Sequence, residues 1–193
     1  MKRRSLLFAA GATISAGWFY AGADLDYDTP DTLGAFEGDD LQAEFIEQFN
    51  EMRREHGLSE ATEDERLAEM AQSHSDRMAK DSYMSHEDHD GVGIEDRYRE
   101  AGLLESCRLP ADGSNQEYRG TEVLARAVEG RTWHEYSDET FVVEDAESLV
   151  EFCLDLWLHS DDHRDIITLE AIETAAVGVA QNDDDIYVTA NFC

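Results

Sequence analysis

Two histidines and one glutamate stand out by residue type and setting. His86 closes the run Tyr83-Met84-Ser85-His86, Glu122 follows Gly120-Thr121, and His163 lies within Trp157-Leu158-His159-Ser160-Asp161-Asp162-His163-Arg164. Gathered in one cleft, two neutral imidazoles and a carboxylate make a three-ligand set for Zn²⁺ or a similar divalent cation, with an open position for water. The same groups can instead move a proton. Separations of 36 and 41 residues match no local metal motif, so the assignment rests on tertiary proximity. Ser160, three residues before His163, invites a nucleophile–base reading. No glycine-rich elbow surrounds it, and its place at a helix end suits a cap for the turn that presents His163. His74 falls on an apolar helical stripe and reads as a satisfied core imidazole, and His89 as a solvated loop residue. The segment from His86 to Gly91 imitates a calcium-binding loop. Aligning Gly91 with the turn glycine puts His86 first and Arg97 twelfth, where carboxylates are required.

The elements that must position these residues follow from periodicity. Phe45, Ile46, Phe49 and Met52 predict a helix over 41–55, stopped by Gly57. Leu67, Met70, Ala71, His74 and Met78 predict a second helix over 64–80, and a short third covers 94–101. Residues 82–93 read as a loop, 104–119 as irregular, and 122–127 as the start of a short ordered segment before an acidic stretch through Asp138. A last long helix spans 145–159. Runs at 175–180 and 186–192, joined by Asn182-Asp183-Asp184-Asp185, read as a β-hairpin. Helices followed by a terminal hairpin indicate an α+β domain rather than alternating βαβ units.

The chain carries 45 acidic and 15 basic residues, a formal charge of −30, and only two lysines, Lys2 and Lys80. Acidic excess with few lysines is expected of a protein living in concentrated salt, where the Debye length is about 3 Å at 1 M. A disordered acidic chain is the alternative. It is disfavoured by the 41% hydrophobic residues and their periodic recurrence. The charge argues against nucleic acid or anionic lipid headgroups as partners.

Residues 1–23 differ in kind. Lys2-Arg3-Arg4 precede an apolar run, and Ala21-Gly22-Ala23 offers a cleavage site, which together predict an export signal. The pair Arg3-Arg4 followed by Ser5-Leu6-Leu7 resembles a twin-arginine signal. The apolar stretch is also near the length of a membrane anchor, so an N-terminal tether is the alternative. Residues 24–39 read as an acidic linker and 40–193 as one domain. Export permits a disulfide. Cys153 sits on the apolar face of the last helix and reads as a core residue, leaving Cys107–Cys193 as the favoured bond.

Six ordered pieces then carry a family resemblance: Asn50-Glu51-Met52-Arg53 with Gly57-Leu58, Ser85-His86, Glu122-Val123-Leu124-Ala125, Trp157 with Ser160 and His163-Arg164, Gly178-Val179, and the run from Tyr187 to Cys193. Their order resembles the CAP superfamily (SCP/TAPS domain) in its prokaryotic secreted form, over residues 41–193. The resemblance implies an α-β-α sandwich with a small antiparallel sheet between helical layers. It implies a cleft in which His86 and His163 match the two cleft histidines, Glu122 the glutamate, and Ser160 the serine of the Trp-x-x-Ser segment. It also implies Zn²⁺ or another divalent cation as cofactor, and sterols, other lipids or peptides as ligands or substrates. Val123, Asp161-Asp162 and Ala190 depart from the family's Asn, Pro-Gly and Gln. These changes imply a thinner polar shell around the ligands and weaken the case for a tuned catalytic site. The acidic pair is expected to raise the pKa of His163. The expected function is a secreted or cell-surface binding module with a cation-competent His/Glu cleft. A metal-dependent hydrolase and a small-hydrophobe carrier are the alternatives.

Overall fold

A computed structural model describes residues 39–110, 117–134, 136 and 140–193. The predicted export signal, and all but the last residue of the predicted linker, lie outside the described residues. So does part of the acidic stretch before Asp138.

Among the described residues, five helices arise where apolar spacing predicts four. α1 (Asp39–Glu55) buries Leu41, Phe45, Phe49 and Met52 and gives way to Gly57, whose φ of 74° only glycine adopts freely. α2 (Glu65–Asp81) starts where the Asp64 side chain accepts from the backbone N–H groups of Arg66 and Leu67. α3 spans Ile94–Glu100, and α4 spans Ala146–His159 behind an Asp145–Ser148 capping box. α5 (Asp161–Ile167) replaces the turn expected after Ser160. Asp161 and Asp162 occupy its first turn, where a carboxylate suits the helix dipole.

The strands are β1 (Thr62–Glu63), β2 (Arg108–Pro110), β3 (Glu117–Arg119), β4 (Thr121–Val128), β5 (Gly130–Thr132), β6 (Phe141–Val143), β7 (Thr174–Asn182) and β8 (Asp185–Phe192). The main sheet has the order β1-β7-β8-β4. β4, β8 and β7 pair antiparallel, whereas β1 lies parallel to β7, so the sheet is mixed rather than wholly antiparallel. The other strands form two small hairpins, β2-β3 and β5-β6. The first of these puts strands at 108–110 and 117–119, where irregular structure was expected.

Period-two alternation assigns the faces. Val123, Ala125, Ala127, Val177, Val179, Val188 and Ala190 join α1 and α4 in the main core. Ala176 packs instead with Leu67 and Met70, and Leu124 and Tyr187 pack with Met78, all on the α2 side. The result is the α-β-α sandwich. α2 lies against the sheet at Gly178, where a Cβ would come within 2.1 Å of the Gln72 backbone nitrogen. The edge of β7 beyond the two residues of β1 is closed by glutamine amides from both layers. Gln42 and Gln72 each bond the backbone N–H and C=O of Val177 and Val179, respectively, as a neighbouring strand would. Buried Arg53 performs a similar service after α5, donating to the carbonyls of Ser59, Ile167 and Leu169.

The Cys107–Cys193 disulfide forms as expected, and Cys153 is free and buried. Trp157 is fully buried and donates its indole N–H to the Leu124 carbonyl at 2.9 Å, tying α4 to β4.

Candidate functional site

Glu122 and the groups that contact it lie on the α2 face of the sheet, beside His74 of α2. Glu122 is the second residue of β4, and its register partner Asn191 lies beside it on β8. The side chain of Glu122 is wholly buried, and each oxygen is engaged twice. Oε1 accepts from Arg97 Nη2 at 2.7 Å and from His86 Nδ1 at 2.9 Å. Oε2 accepts from the same Arg97 nitrogen at 2.8 Å and from Asn191 Nδ2 at 3.2 Å. A carboxylate has about four acceptor positions, and all are taken. Glu122 therefore anchors His86, with no lone pair left for an ion, and the expectation of Glu122 as a third ligand is revised to that extent.

Burial alone would raise the pKa of Glu122. The His86 hydrogen bond and the Arg97 and His74 charges outweigh it and hold the carboxyl below its usual range. Arg97 is fixed in turn by donating to the carbonyls of Val92 and His86. Because a carboxylate only accepts, His86 carries its proton on Nδ1 and keeps the Nε2 lone pair outward. The His86 side chain is 47% exposed, so that lone pair is accessible.

His163 projects from α5, close enough to His86 for the charge of that ring to oppose its protonation. The acidic pair was expected to raise its pKa. Burial is the larger effect and lowers it, His86 adds to the lowering, and Asp162 only partly offsets them. Asp161 is turned to Arg164 at 2.6 Å. Ser160 occupies the junction of α4 and α5, but its side chain makes no capping bond. His74 was expected to be a satisfied core imidazole. It is fully buried and donates from Nε2 to the Ser85 carbonyl at 3.0 Å, but its Nδ1 finds no partner.

Among the described residues, six buried side-chain polar atoms lack a protein partner, and four belong to this cluster: His74 Nδ1, Arg97 Nε, His163 Nδ1 and Asn191 Oδ1. Buried polar groups are rarely left unpaired in native proteins, so this concentration marks a place where a polar ligand, water or ion belongs.

Sequence reasoning missed Arg97 and Asn191 as site residues. It also misplaced the thinner polar shell. Val123 and Ala190 are register partners that point into the α1/α4 core, so an amide at either would not reach Glu122. The amide that does is Asn191, and strand parity relative to Glu122 was the available signal.

A second group was also missed. His134, Asp155 and His159 form, among the described residues, the one set of three possible ligand atoms mutually within 4.8 Å; His86, Glu122 and His163 do not form such a set. The Asp155/His159 spacing of four on a predicted helix was readable, but the approach of His134 was not.

Comparisons with known proteins bear on both fold and family. An extracellular protein containing an SCP domain from Bacillus anthracis str. Ames superposes with a TM-score of 0.55 at 22% identity, over 85% of this chain and 43% of its own length. This chain thus spans less than half of that protein. An outer surface protein from Borrelia burgdorferi superposes with a TM-score of 0.57 at 13% identity, over 81% of this chain and 94% of its own. Identities this low speak for the fold alone. Among curated proteins, none matches the chain. The model of the CAP, cysteine-rich secretory protein family matches residues 46–192, most of the chain, and with the sandwich just described the chain belongs to the CAP family.

Proposed function

We propose that this protein is an exported, salt-adapted CAP-domain binding module whose cleft holds a divalent cation, or a ligand in its place, between His86 and His163. The carrying observation is the chain of contacts Arg97–Glu122–His86, which locks one imidazole in the tautomer that presents Nε2 outward. A carboxylate behind a histidine is the usual way of orienting a metal ligand. The unpartnered, buried Nδ1 of His163 supplies the second donor. Zn²⁺ or a similar ion fits two such imidazoles with waters completing its shell.

Export is supported by the predicted signal and by the extracellular and outer-surface descriptions of the two structural neighbours. Among the described residues no helix is long and apolar enough to cross a membrane, and the predicted tether at 5–23 lies outside them. The acidic surface supports salt adaptation and disfavours nucleic acid as a partner. A hydrolase using Glu122 as general base gains no support, because its pKa is held low and its acceptor positions are filled. A lipid carrier gains none from the apolar gap among Leu41, Phe45, Leu149 and Val177, which at about 10 Å³ is smaller than an acyl chain requires.

Calorimetric titration of Zn²⁺ into the wild type and into His86→Ala/His163→Ala tests the cleft. The double variant is expected to lose one binding event, and superimposable isotherms would refute the proposal.

A further inference from the structure

The group formed by His134, Asp155 and His159 shares no residue with the cleft, and the proposed function does not use it. Asp155 and His159 lie one turn apart on α4, so both project from the same face of that helix. His134 follows β5 and reaches α4 from outside it, with 5% of its surface exposed. Its Nε2 is 2.6 Å from Asp155 Oδ2, and His159 Nδ1 is 3.4 Å from Asp155 Oδ1. The His134 ring is held by neighbours on several sides, with centroids 5.8 Å from Phe141, 5.9 Å from Phe152 and 5.9 Å from His159. Two imidazoles on opposite sides of one carboxylate are more than an ion pair needs. His134 alone gives Asp155 a hydrogen-bond partner.

We propose that His134, Asp155 and His159 form a binding site for one first-row transition-metal ion of the Zn²⁺ type, separate from the His86/His163 cleft. Two nitrogens and a carboxylate oxygen are the donors such ions prefer, with remaining positions filled by water. Donor atoms already within 4.8 Å of one another close to tetrahedral spacing through side-chain rotation alone. The ion takes the place of the proton that His134 Nε2 shares with Asp155, and that proton moves by way of solvent to Nδ1 of the same ring, with none released. His134 then carries its proton on Nδ1, and the 3.3 Å bond from the Tyr136 N–H to that nitrogen is given up. That bond is long for an N–H donor, so its loss is a minor charge against metal binding. His159 is half exposed, and rotation of its side chain brings Nε2 to the ion. Its Nδ1 lies 2.8 Å from the Asp155 carbonyl and donates to it, so Nε2 bears the lone pair. A bound ion would clamp the β5–β6 excursion to α4, adding to the contact that β6 already makes with that helix.

The test uses the full chain in molar KCl, which suppresses loose association of cations with surface carboxylates. Zn²⁺ is titrated calorimetrically, and Co²⁺ is followed by its visible ligand-field bands, into His86→Ala/His163→Ala. That background removes the cleft, so the outcome is independent of the cleft proposal. One saturable site per chain is expected there. Adding His159→Ala or the near-isosteric His159→Gln is expected to weaken that site at least tenfold and change the Co²⁺ spectrum. His159 is half exposed, so neither change threatens the fold. No saturable site in the cleft-free background, or a site weakened less than tenfold by both His159 substitutions, overturns the proposal.

Discussion

Glu122→Gln removes one charge from the centre of the cleft and leaves the shape of the side chain nearly unchanged. In the wild type a guanidinium nitrogen lies 2.7 and 2.8 Å from the two carboxylate oxygens, with 5% of the Arg97 side chain and none of the Glu122 side chain exposed. At an effective dielectric of 20 the attraction across such a gap is about 6 kcal/mol before desolvation. Leaving one member of a buried pair alone typically costs about 3–5 kcal/mol. The amide also turns an N–H₂ group toward one of two donors, His86 Nδ1–H or Asn191 Nδ2–H, which pushes the loss to the upper part of that range. For a domain of this size each kcal/mol shifts Tm by roughly 2–4 °C. The expected fall is therefore roughly 6–20 °C, measured by circular dichroism, and it should persist in molar salt because a buried pair is poorly screened. A double-mutant cycle with Arg97→Met isolates the pair. A fall in Tm below about 2 °C, or strict additivity in the cycle, would refute the reasoning. Loss of the anchor also frees the His86 tautomer, so Zn²⁺ affinity at the cleft is expected to drop by about 10- to 100-fold.

Other consequences follow from the packing. Gly178→Ala drives a methyl into the α2 backbone at Gln72, so a loss of more than about 3 kcal/mol is expected by denaturant titration; a variant as stable as wild type would show that α2 can lift away. Replacing Cys107 and Cys193 by Ser opens a bond of sequence separation 86, which on chain entropy stabilises the fold by about 4–5 kcal/mol, and a loss below about 1 kcal/mol would contradict that account. Burial pushes the pKa of His74 below its usual value, against the upward pull of Glu122. The unfolded chain then binds the extra proton, so His74's contribution is fully present above about pH 6.5 and is lost as pH falls from there toward the folded value. His74→Gln should flatten the slope in that window by up to about 1.4 kcal/mol per pH unit, and an unchanged slope in urea titrations at several pH values would count against it.

Local pattern made much of this protein readable. α1, α2 and α4 announce themselves through apolar spacing, caps and terminal glycine, all of which act within a few residues. The β7–β8 hairpin is equally local, its turn set by Asp183 at φ 53° between complementary strands. β4 was not legible as a strand, because helices cover both of its faces and its residues are buried almost without alternation. β1 is only two residues long, too short for any period to appear.

The site divides in the same way. The sequence alone pointed to His86, Glu122 and His163 as candidate site residues, favoured Cys107 and Cys193 as the pair if one bond forms, and set the acidic charge of the chain. Tertiary structure decided their roles. It set Arg97 against Glu122 across 25 residues of chain, and Asn191 beside it across 69. It turned Glu122 from a ligand into an anchor, and burial overrode the charge of Asp162 at His163. It also brought His134 to Asp155 across 21 residues. Periodicity records which face of an element is buried. Which polar group meets another on that face depends on strand register and on how helices seat against the sheet, and both are settled by packing over the whole domain.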